Sequence, residues 1–157
     1  MLKGIDHRLN ADVLHALRAM GHGDLLVLSD RNFPADSVSS STRVGRPLLM
    51  EGLSSSEAIA AILSVFPLDT FVDDYAMSME VVDQPASRPL VQQEVDSCIA
   101  KMDGRPQPTR HVERFAFYEM AKTSYAIIQT GELRHFGCFI LRKGVISPNN
   151  VTEIKPH

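Results

Sequence analysis

The stretch that decides the fold is Gly21-His22-Gly23-Asp24, followed by the apolar run Leu25–Leu28 and then by Asp30-Arg31-Asn32-Phe33-Pro34. Four consecutive apolar residues between polar, glycine-containing flanks are typical of a short strand that is covered on both faces of a sheet. The histidine precedes this strand and the carboxylate of Asp30 follows it. Both polar groups therefore lie at element ends, where a small polar substrate can reach them.

Helices and strands alternate on either side of this strand. Asn10 is expected to cap a helix that Gly21 ends, and a second helix begins at the capping box Ser54-Ser55-Ser56-Glu57 and ends before Pro67. Helices are also predicted over 91–102 and 115–122, strands over 47–50, 76–82, 125–130 and 139–142, and a serine-rich surface loop over 36–46. The alternation predicts a single-domain α/β fold with a largely parallel sheet flanked by helices.

Composition excludes several classes of protein. The 157 residues are 44% hydrophobic and 22% charged, which is typical of one globular domain; it is predicted over residues 1–146, before a polar tail over 147–157. With 16 basic and 19 acidic residues and no basic patch, the chain is not expected to bind nucleic acid. No apolar run approaches the roughly 20 residues that span a bilayer, and the N-terminus lacks the apolar core of a signal peptide. A soluble cytoplasmic protein without a membrane partner is predicted.

His22 and Asp30 each allow a structural and a chemical interpretation. A glycine-flanked histidine just after a helix can bond the last helical carbonyls, or its ring can transfer protons near neutral pH. Asp30 can cap its own turn, or it can accept sugar hydroxyls and orient a base. The spacing alone leaves both alternatives open.

Other chemistries lack support in the sequence. Six histidines are present, but none belongs to an HxH or HExxH pattern, so no catalytic metal is expected. Cys98 and Cys138 form no CxxC motif, and no nucleophile-elbow, dinucleotide-binding or phosphate-binding loop occurs. Redox and phosphoryl-transfer functions therefore have no positive support.

The segment Arg114-Phe115-Ala116-Phe117-Tyr118-Glu119 places one arginine beside three aromatic residues. The guanidinium could bond sugar hydroxyls while a ring packs against C–H groups. The alternative is an aromatic core cluster, with Arg114 paired to a surface carboxylate. For Phe115 and Phe117 the sequence favours the core.

Four blocks of sequence together resemble the family of L-fucose mutarotase and D-ribose pyranase, and the resemblance covers nearly the whole chain. The blocks are Met20-Gly21-His22-Gly23-Asp24, Ser29-Asp30 with Phe33-Pro34-Ala35, Arg114-Phe115-Ala116-Phe117-Tyr118-Glu119, and Thr130-Gly131-Glu132 with Leu141-Arg142-Lys143-Gly144. Gly23 and the block that begins at Arg114 are most similar to the fucose branch.

The resemblance implies an enzyme that interconverts the α and β anomers of a free monosaccharide, L-fucose or a related sugar, without a metal or organic cofactor. It implies that His22 is the proton donor and that Asp30 and Arg114 bind the sugar. It also implies a homo-oligomeric ring in which a neighbouring subunit completes each site.

The chain departs from the family at Phe136-Gly137-Cys138, where the family usually has a Tyr-Gly-Asn segment that reaches the sugar. By this correspondence Phe136, Gly137 and Cys138 line the sugar site without a phenol hydroxyl or a carboxamide, and His135 is adjacent as a replacement donor. The loss supports an alternative function, a non-catalytic sugar-binding or sugar-transport accessory protein. The presence of His22 supports the enzyme.

Eight residues separate His22 from Asp30, and an extended chain of that length spans roughly 26 Å. One sugar can contact both residues only if the strand is short and bent or if they come from different subunits. Asp30, or a water that it holds, is the predicted base partner of His22. From the sequence itself, only the apolar segment Phe136–Leu141 suggests a contact between subunits.

Overall fold

The computed structural model describes residues 1–150, so the end of the predicted polar tail, 151–157, lies outside the described residues. The strands are β1 (Leu25–Ser29), β2 (Leu48–Met50), β3 (Ala76–Met79), β4 (Arg110–Val112), β5 (Ala126–Thr130) and β6 (Phe139–Arg142). The helices are α1 (Ala11–Ala19), α2 (Ala35–Ser39), α3 (Ser55–Leu63), α4 (Leu90–Asp103) and α5 (Arg114–Lys122), with a 3₁₀ turn at Pro148–Asn150.

The six strands form one sheet in the order β2-β5-β1-β6-β3-β4. β1 pairs in parallel with β5, β5 in parallel with β2, and β3 in parallel with β4. β6 lies antiparallel between β1 and β3. The structure thus confirms the predicted α/β fold with a largely parallel sheet, and β6 alone among these six strands runs in the opposite direction.

Alternating side chains of β1 divide the core into two layers. Leu26 and Leu28 pack with the apolar faces of α1, α3 and α4, whereas Val27 packs with α2 and α5 on the opposite face. All three side chains are fully buried. Burial on both faces is why the sequence of β1 is a continuous apolar run rather than an alternating one.

The predicted surface loop over 36–46 is wrong at its start, because this segment contains most of α2. Val38 and Ser39 of this helix are buried. The hydroxyl of Ser39 donates to the carbonyl of Asp36 at 3.0 Å, and that of Thr42 donates to the carbonyl of Ser39 at 2.7 Å. Serine and threonine side chains that bond within their own turn can be buried, and they leave no apolar period to detect.

The strand β4 was not predicted, because its three residues follow a proline-containing segment and lie at the edge of the sheet. The two predicted helix starts are confirmed. The side chain of Asn10 accepts from the backbone N–H of Val13, and Ser54 and Glu57 form the reciprocal capping box. Helix α3 ends at Leu63, three residues before the predicted end.

Gly21 directly follows the C-cap residue of α1, as predicted, but it does not have the left-handed backbone that commonly ends a helix. Helix α1 ends at Ala19, and its C-cap residue Met20 is extended, with φ −60° and ψ 144°. The glycine with left-handed backbone is Gly23, at φ 85°. The chain therefore leaves the helix in an extended conformation and turns only at Gly23, after His22.

A lysine from the end of β6 satisfies the last carbonyls of α1. The Nζ of Lys143 donates to the carbonyls of Leu17 and Met20 at 2.5 and 2.7 Å, and burial lowers the pKa of this amine. A cation at a helix C-terminus also interacts favourably with the helix dipole. Because Lys143 takes this role, His22 is not the capping residue and its ring is left for other contacts.

The predicted domain boundary at residue 146 stays a prediction. Within residues 1–150, no helix combines the length and the hydropathy that crossing a membrane requires.

Gly131 lies where two backbone segments approach closely. Its N–H donates to the carbonyl of Leu53 at 2.7 Å, and a Cβ here would overlap with the carbonyl of Glu51. Gly52, in the turn that faces it, has open space around its Cα. The glycine at 131 is therefore required by packing against backbone, which cannot yield as a flexible side chain can.

We expect Gly131→Ala to lower the free energy of unfolding by about 2 kcal/mol or more, because the added methyl group forces the two backbone segments apart. Gly52→Ala is the matched control and should change it by less than about 0.5 kcal/mol. Urea unfolding at fixed protein concentration measures both. Equal midpoints for the two variants would contradict the assignment of this close approach.

Candidate functional site

The two principal candidate residues lie at opposite ends of the interior strand β1. His22 precedes β1 and Asp30 follows it, and the five residues of the strand span about 16 Å. β1 pairs residue by residue with β5 from Leu26 to Ser29, so it is not sharply bent. Of the two alternatives from the sequence, contact of both residues with one sugar inside a single subunit is therefore excluded.

At the amino-terminal end of β1, the ring of His22 is held by a carboxylate that the sequence analysis missed. Nε2 of His22 donates to Oδ2 of Asp69 at 3.0 Å. The side chain of His22 is 46% exposed, whereas that of Asp69 is 3% exposed. The edge of the Phe71 ring also contacts the imidazole, at 5.6 Å between ring centroids. Inside one chain the carboxylate that contacts His22 is therefore that of Asp69, not that of Asp30.

Three further contacts fix Asp69. Its Oδ1 accepts the N–H of Phe71 at 3.0 Å, its own N–H donates to the carbonyl of Arg142 at 3.0 Å, and its carbonyl accepts from Arg105 at 2.8 Å. The N–H of Phe71 lowers the pKa of Asp69 most, and His22 lowers it further, against the opposing effect of burial. A buried, ionised and immobile carboxylate thus sets the orientation of the His22 ring.

This arrangement leaves one ring nitrogen of His22 open. With Nε2–H directed at a carboxylate, proton exchange with a substrate has to occur at Nδ1. No residue within 1–150 bonds that nitrogen. A carboxylate that orients an imidazole and stabilises its protonated form is a recurring device in acid–base catalysis.

At the carboxyl-terminal end of β1, Asp30 both caps its turn and lines a cavity. Its Oδ1 accepts the N–H groups of Asn32 and Phe33, each at 3.0 Å, and its Oδ2 accepts the N–H of Gly137 at 3.2 Å. The turn-capping interpretation is therefore correct. It does not exclude the other interpretation, because the same carboxylate faces the cavity and retains acceptor capacity on Oδ2.

The cavity beside Asp30 brings most of the predicted site residues together. It has a volume of about 170 Å³ and is lined by Asp30, Asn32, Phe33, Met79, Val82, Arg114, Tyr118, His135, Phe136 and Cys138. Gly137 contributes through its bond to Asp30. His22 is the one predicted residue that the structure places elsewhere. The ring of Tyr118, which the sequence had not singled out for the site, stacks on Phe33 at 5.1 Å between centroids.

A larger cavity of about 450 Å³ lies beside α1 and is lined mainly by apolar side chains. The amine of Lys143 at its wall already bonds two helix carbonyls. The larger cavity therefore offers a sugar few polar partners, and the smaller cavity beside Asp30 is the better candidate site.

The backbone of Phe136 is held in an unusual conformation. Phe136 has φ 61°, in the left-handed region that non-glycine residues rarely adopt. The next residue, Gly137, is packed so tightly that a Cβ would lie 2.7 Å from Cγ of Glu132. Such strain persists where the surroundings over-determine it, and it clusters at functional sites.

A buried acid supports the loop that carries Phe136. The carboxylate of Glu132 accepts from the guanidinium of Arg134 and from the backbone N–H of Ser55, at the start of α3. Arg134 also makes a bidentate pair with Glu94 at 2.9 and 2.7 Å. Arg134 is the main cause of the lowered pKa of Glu132. This network joins the loop to α3 and α4.

Arg114 and its aromatic neighbours differ in part from the expectation. Phe117 is fully buried, as predicted, but Phe115 is 69% exposed and does not belong to the core. Arg114 lies over the ring of Phe115, at 5.4 Å from its centroid. Within residues 1–150 no carboxylate pairs with this guanidinium, so the predicted surface ion pair is not observed.

The segment Phe136–Leu141 is not an exposed contact surface, because Phe139, Ile140 and Leu141 are fully buried in β6. Within residues 1–150 no group of three or more histidine, cysteine, aspartate or glutamate side chains has the geometry of a metal site.

The lowered pKa of Asp69 sets the sign of a stability change with pH. A carboxyl whose pKa is lower in the folded state stabilises the fold above its unfolded pKa of about 4, and this stability is lost as the pH falls through the folded pKa. We expect Asp69→Asn to lose less stability than the wild type between about pH 5 and pH 2, whereas the exposed-site control Asp73→Asn should follow the wild type. Thermal unfolding over this pH range checks the difference, and parallel curves for all three proteins would refute it.

Known proteins match this chain in sequence and in fold. The family model of the RbsD / FucU transport protein family matches residues 3–146. The human fucose mutarotase is 40% identical over 94% of this chain and 96% of its own length. The crystal structure of protein Atu2016 is 54% identical, with a TM-score of 0.91 over 94% of this chain and 97% of its own. A Streptococcus pneumoniae fucose mutarotase solved with L-fucose is 32% identical, with a TM-score of 0.82 over 93% of this chain and all of its own. The chain belongs to the RbsD / FucU transport protein family.

Proposed function

We propose that this protein interconverts the α and β anomers of a free monosaccharide, L-fucose or a related sugar. The observation that carries the proposal is the exposed ring of His22, oriented by buried Asp69 with Nδ1 open. Curated relatives that match this chain over nearly their whole length are mutarotases, and the chain is an isomerase of that class. A cytoplasmic location belongs to the same proposal.

Mutarotation opens the hemiacetal, lets the aldehyde rotate and closes the ring again. Opening removes a proton from the anomeric hydroxyl and gives one to the ring oxygen. In the proposed mechanism Nδ1 of His22 serves the ring oxygen, while Asp69 stabilises the imidazolium. Asp30 and Arg114 bind sugar hydroxyls, and Phe136 and Tyr118 pack against C–H groups. Asp30, or a water that it holds, is the proposed base.

The proposed site needs two copies of the chain. His22 and the cavity of Asp30 lie at opposite ends of β1, so one subunit would supply His22 to the cavity of its neighbour. Exposed apolar side chains support this contact, because Phe71 beside His22 is 71% exposed and Phe115 beside the cavity is 69% exposed. A contact between two different surfaces of the subunit is head-to-tail, and the proposed oligomer is the closed ring that such a contact forms when the rotation between subunits closes.

The second function that the sequence left open, a non-catalytic sugar-binding or transport-accessory protein, is not favoured, because curated relatives that match nearly the whole chain are mutarotases. Phe136 and Cys138 occupy the cavity without a hydroxyl or a carboxamide. A site with fewer hydrogen-bond donors binds sugars less selectively. Anomer-exchange NMR with a panel of free sugars separates the two functions, because only the enzyme accelerates exchange.

We expect His22→Ala to lower the rate of anomer exchange by about 10²- to 10⁴-fold, because the proton donor is lost, while the protein stays folded. His15→Ala is the matched control, since His15 is exposed on α1. NMR exchange spectroscopy gives the rates and circular dichroism checks the fold. Exchange near the wild-type rate in His22→Ala would contradict the assignment.

The shared site predicts a homo-oligomer larger than a dimer. Light scattering at micromolar concentration should give a mass well above twice the subunit mass of 17.4 kDa. Phe71→Asp should lower that mass, because it places a charge in the proposed contact. A monomeric wild type would remove any site shared between subunits.

We expect the double change Phe136→Tyr with Cys138→Asn to raise activity on L-fucose relative to other sugars. Two hydrogen bonds of about 0.5–1.5 kcal/mol each amount to about tenfold in affinity. Met102→Tyr is the matched control, because it adds a phenol at an exposed position of α4 that does not line the cavity. If the wild type already prefers fucose and the double change does not strengthen that preference, the interpretation of Phe136 and Cys138 is wrong.

A further inference from the structure

A fully buried amide lies directly behind the proposed sugar cavity. Gln92, in the first turn of α4, donates from Nε2 to the carbonyl of Met79 at 2.8 Å and to the carbonyl of Phe136 at 3.1 Å. Its side chain is 0% exposed. Both amide hydrogens are therefore in use, and their carbonyl acceptors fix which end of the amide is the nitrogen.

The other end of the amide is also bonded. Oε1 of Gln92 lies 3.1 Å from Nε2 of His111 on β4 and accepts from it in the tautomer that carries the proton on Nε2. The opposite ring nitrogen of His111 lies 2.9 Å from the carbonyl of Pro85. Every polar atom of the Gln92 side chain thus has a partner, which is the condition for a buried polar group to rigidify its surroundings.

The residues that Gln92 holds are residues of the cavity. Met79 and Phe136 both line it, and the N–H of Met79 donates to the carbonyl of Cys138, another lining residue. Phe136 has a left-handed backbone, which needs external support because an L side chain disfavours it. Gln92 provides that support by bonding the Phe136 carbonyl.

We propose that Gln92 is a positioning residue that holds Phe136 in the sugar cavity and thereby sets the affinity and selectivity for the sugar. This inference rests on the proposed function. Within residues 1–150 the side chain of Gln92 bonds Met79, Phe136 and His111, and it bonds neither Asp30 nor the His22–Asp69 pair that a neighbouring subunit would supply. Loss of the amide therefore displaces the binding surface and leaves the proton-transfer pair in place.

The location of Gln92 makes the effect separable from simple destabilisation. A variant that is partly unfolded has fewer active sites, so it lowers the apparent kcat and leaves KM unchanged. A variant with a displaced Phe136 binds sugar more weakly, so it raises KM. The ratio of the two changes distinguishes a positioning role from a merely structural one.

The test compares Gln92→Met with Gln93→Met. Methionine has nearly the size of glutamine but donates no hydrogen bond. Gln93 is exposed at the next position of the same helix, and within residues 1–150 its side chain bonds only the carbonyl of Arg88. We expect Gln92→Met to raise KM by about fivefold or more, with kcat within about twofold of wild type. Gln93→Met should change neither by more than about twofold.

A second measurement does not depend on activity. Fluorine NMR of a fluorophenylalanine at position 136 should shift or broaden in Gln92→Met and stay unchanged in Gln93→Met. If the wild type accelerates no anomer exchange, the proposed function fails, and this signal still shows whether Gln92 holds Phe136. An unchanged signal together with an unchanged KM in folded Gln92→Met would overturn the inference.

If Gln92→Met does not fold, His111→Leu takes its place. It removes the partner of Oε1 at an edge strand and leaves the two bonds donated by Gln92. We expect a smaller rise in KM, about twofold or more, with kcat unchanged. A folded His111→Leu with wild-type KM and a wild-type fluorine signal would overturn the inference in that case.

Discussion

The pairing of β1 with β5 on one side and β6 on the other is the constraint on which the rest of the structure depends. This pairing keeps the five residues Leu25–Ser29 extended, so the two ends of the strand lie about 16 Å apart. One end carries His22 with Asp69, and the other carries Asp30 with its cavity. A protein built in this way has half of the proposed site at each end of β1.

The residues just before and just after the antiparallel strand β6 contact both halves of the proposed site. The start of β6 follows Phe136 and Gly137 at the cavity edge, where Gly137 donates to Asp30. Beyond its end, Lys143 satisfies the carbonyls at the end of α1, next to the turn of His22. A strand parallel to its neighbours would begin at the His22 end of β1 and finish at the cavity end. The direction of β6 therefore couples the two half-sites through one short, buried element.

Sequence patterns predicted the parts of the fold that depend on local chemistry. The continuous apolar run predicted the buried strand β1, and Asn10 and Ser54 predicted the starts of α1 and α3. Contacts between distant segments carry no such pattern. The pairing of His22 with Asp69 spans 47 residues and that of Gln92 with Phe136 spans 44. Helix α2 was missed for a different reason, because its buried Ser39, like Thr42 just after the helix, bonds within its own turn and has the composition of a loop.

The central claim is that one subunit supplies His22 and its neighbour supplies the cavity, and a mixing experiment tests it most directly. His22→Ala and Arg114→Ala each remove one half-site, and each protein alone should be inactive in anomer exchange. In oligomers formed by co-expressing the two variants at equal amounts, about a quarter of the sites combine the intact halves, and that share of wild-type activity should return. Mixed oligomers that remain as inactive as the separate variants would contradict the account.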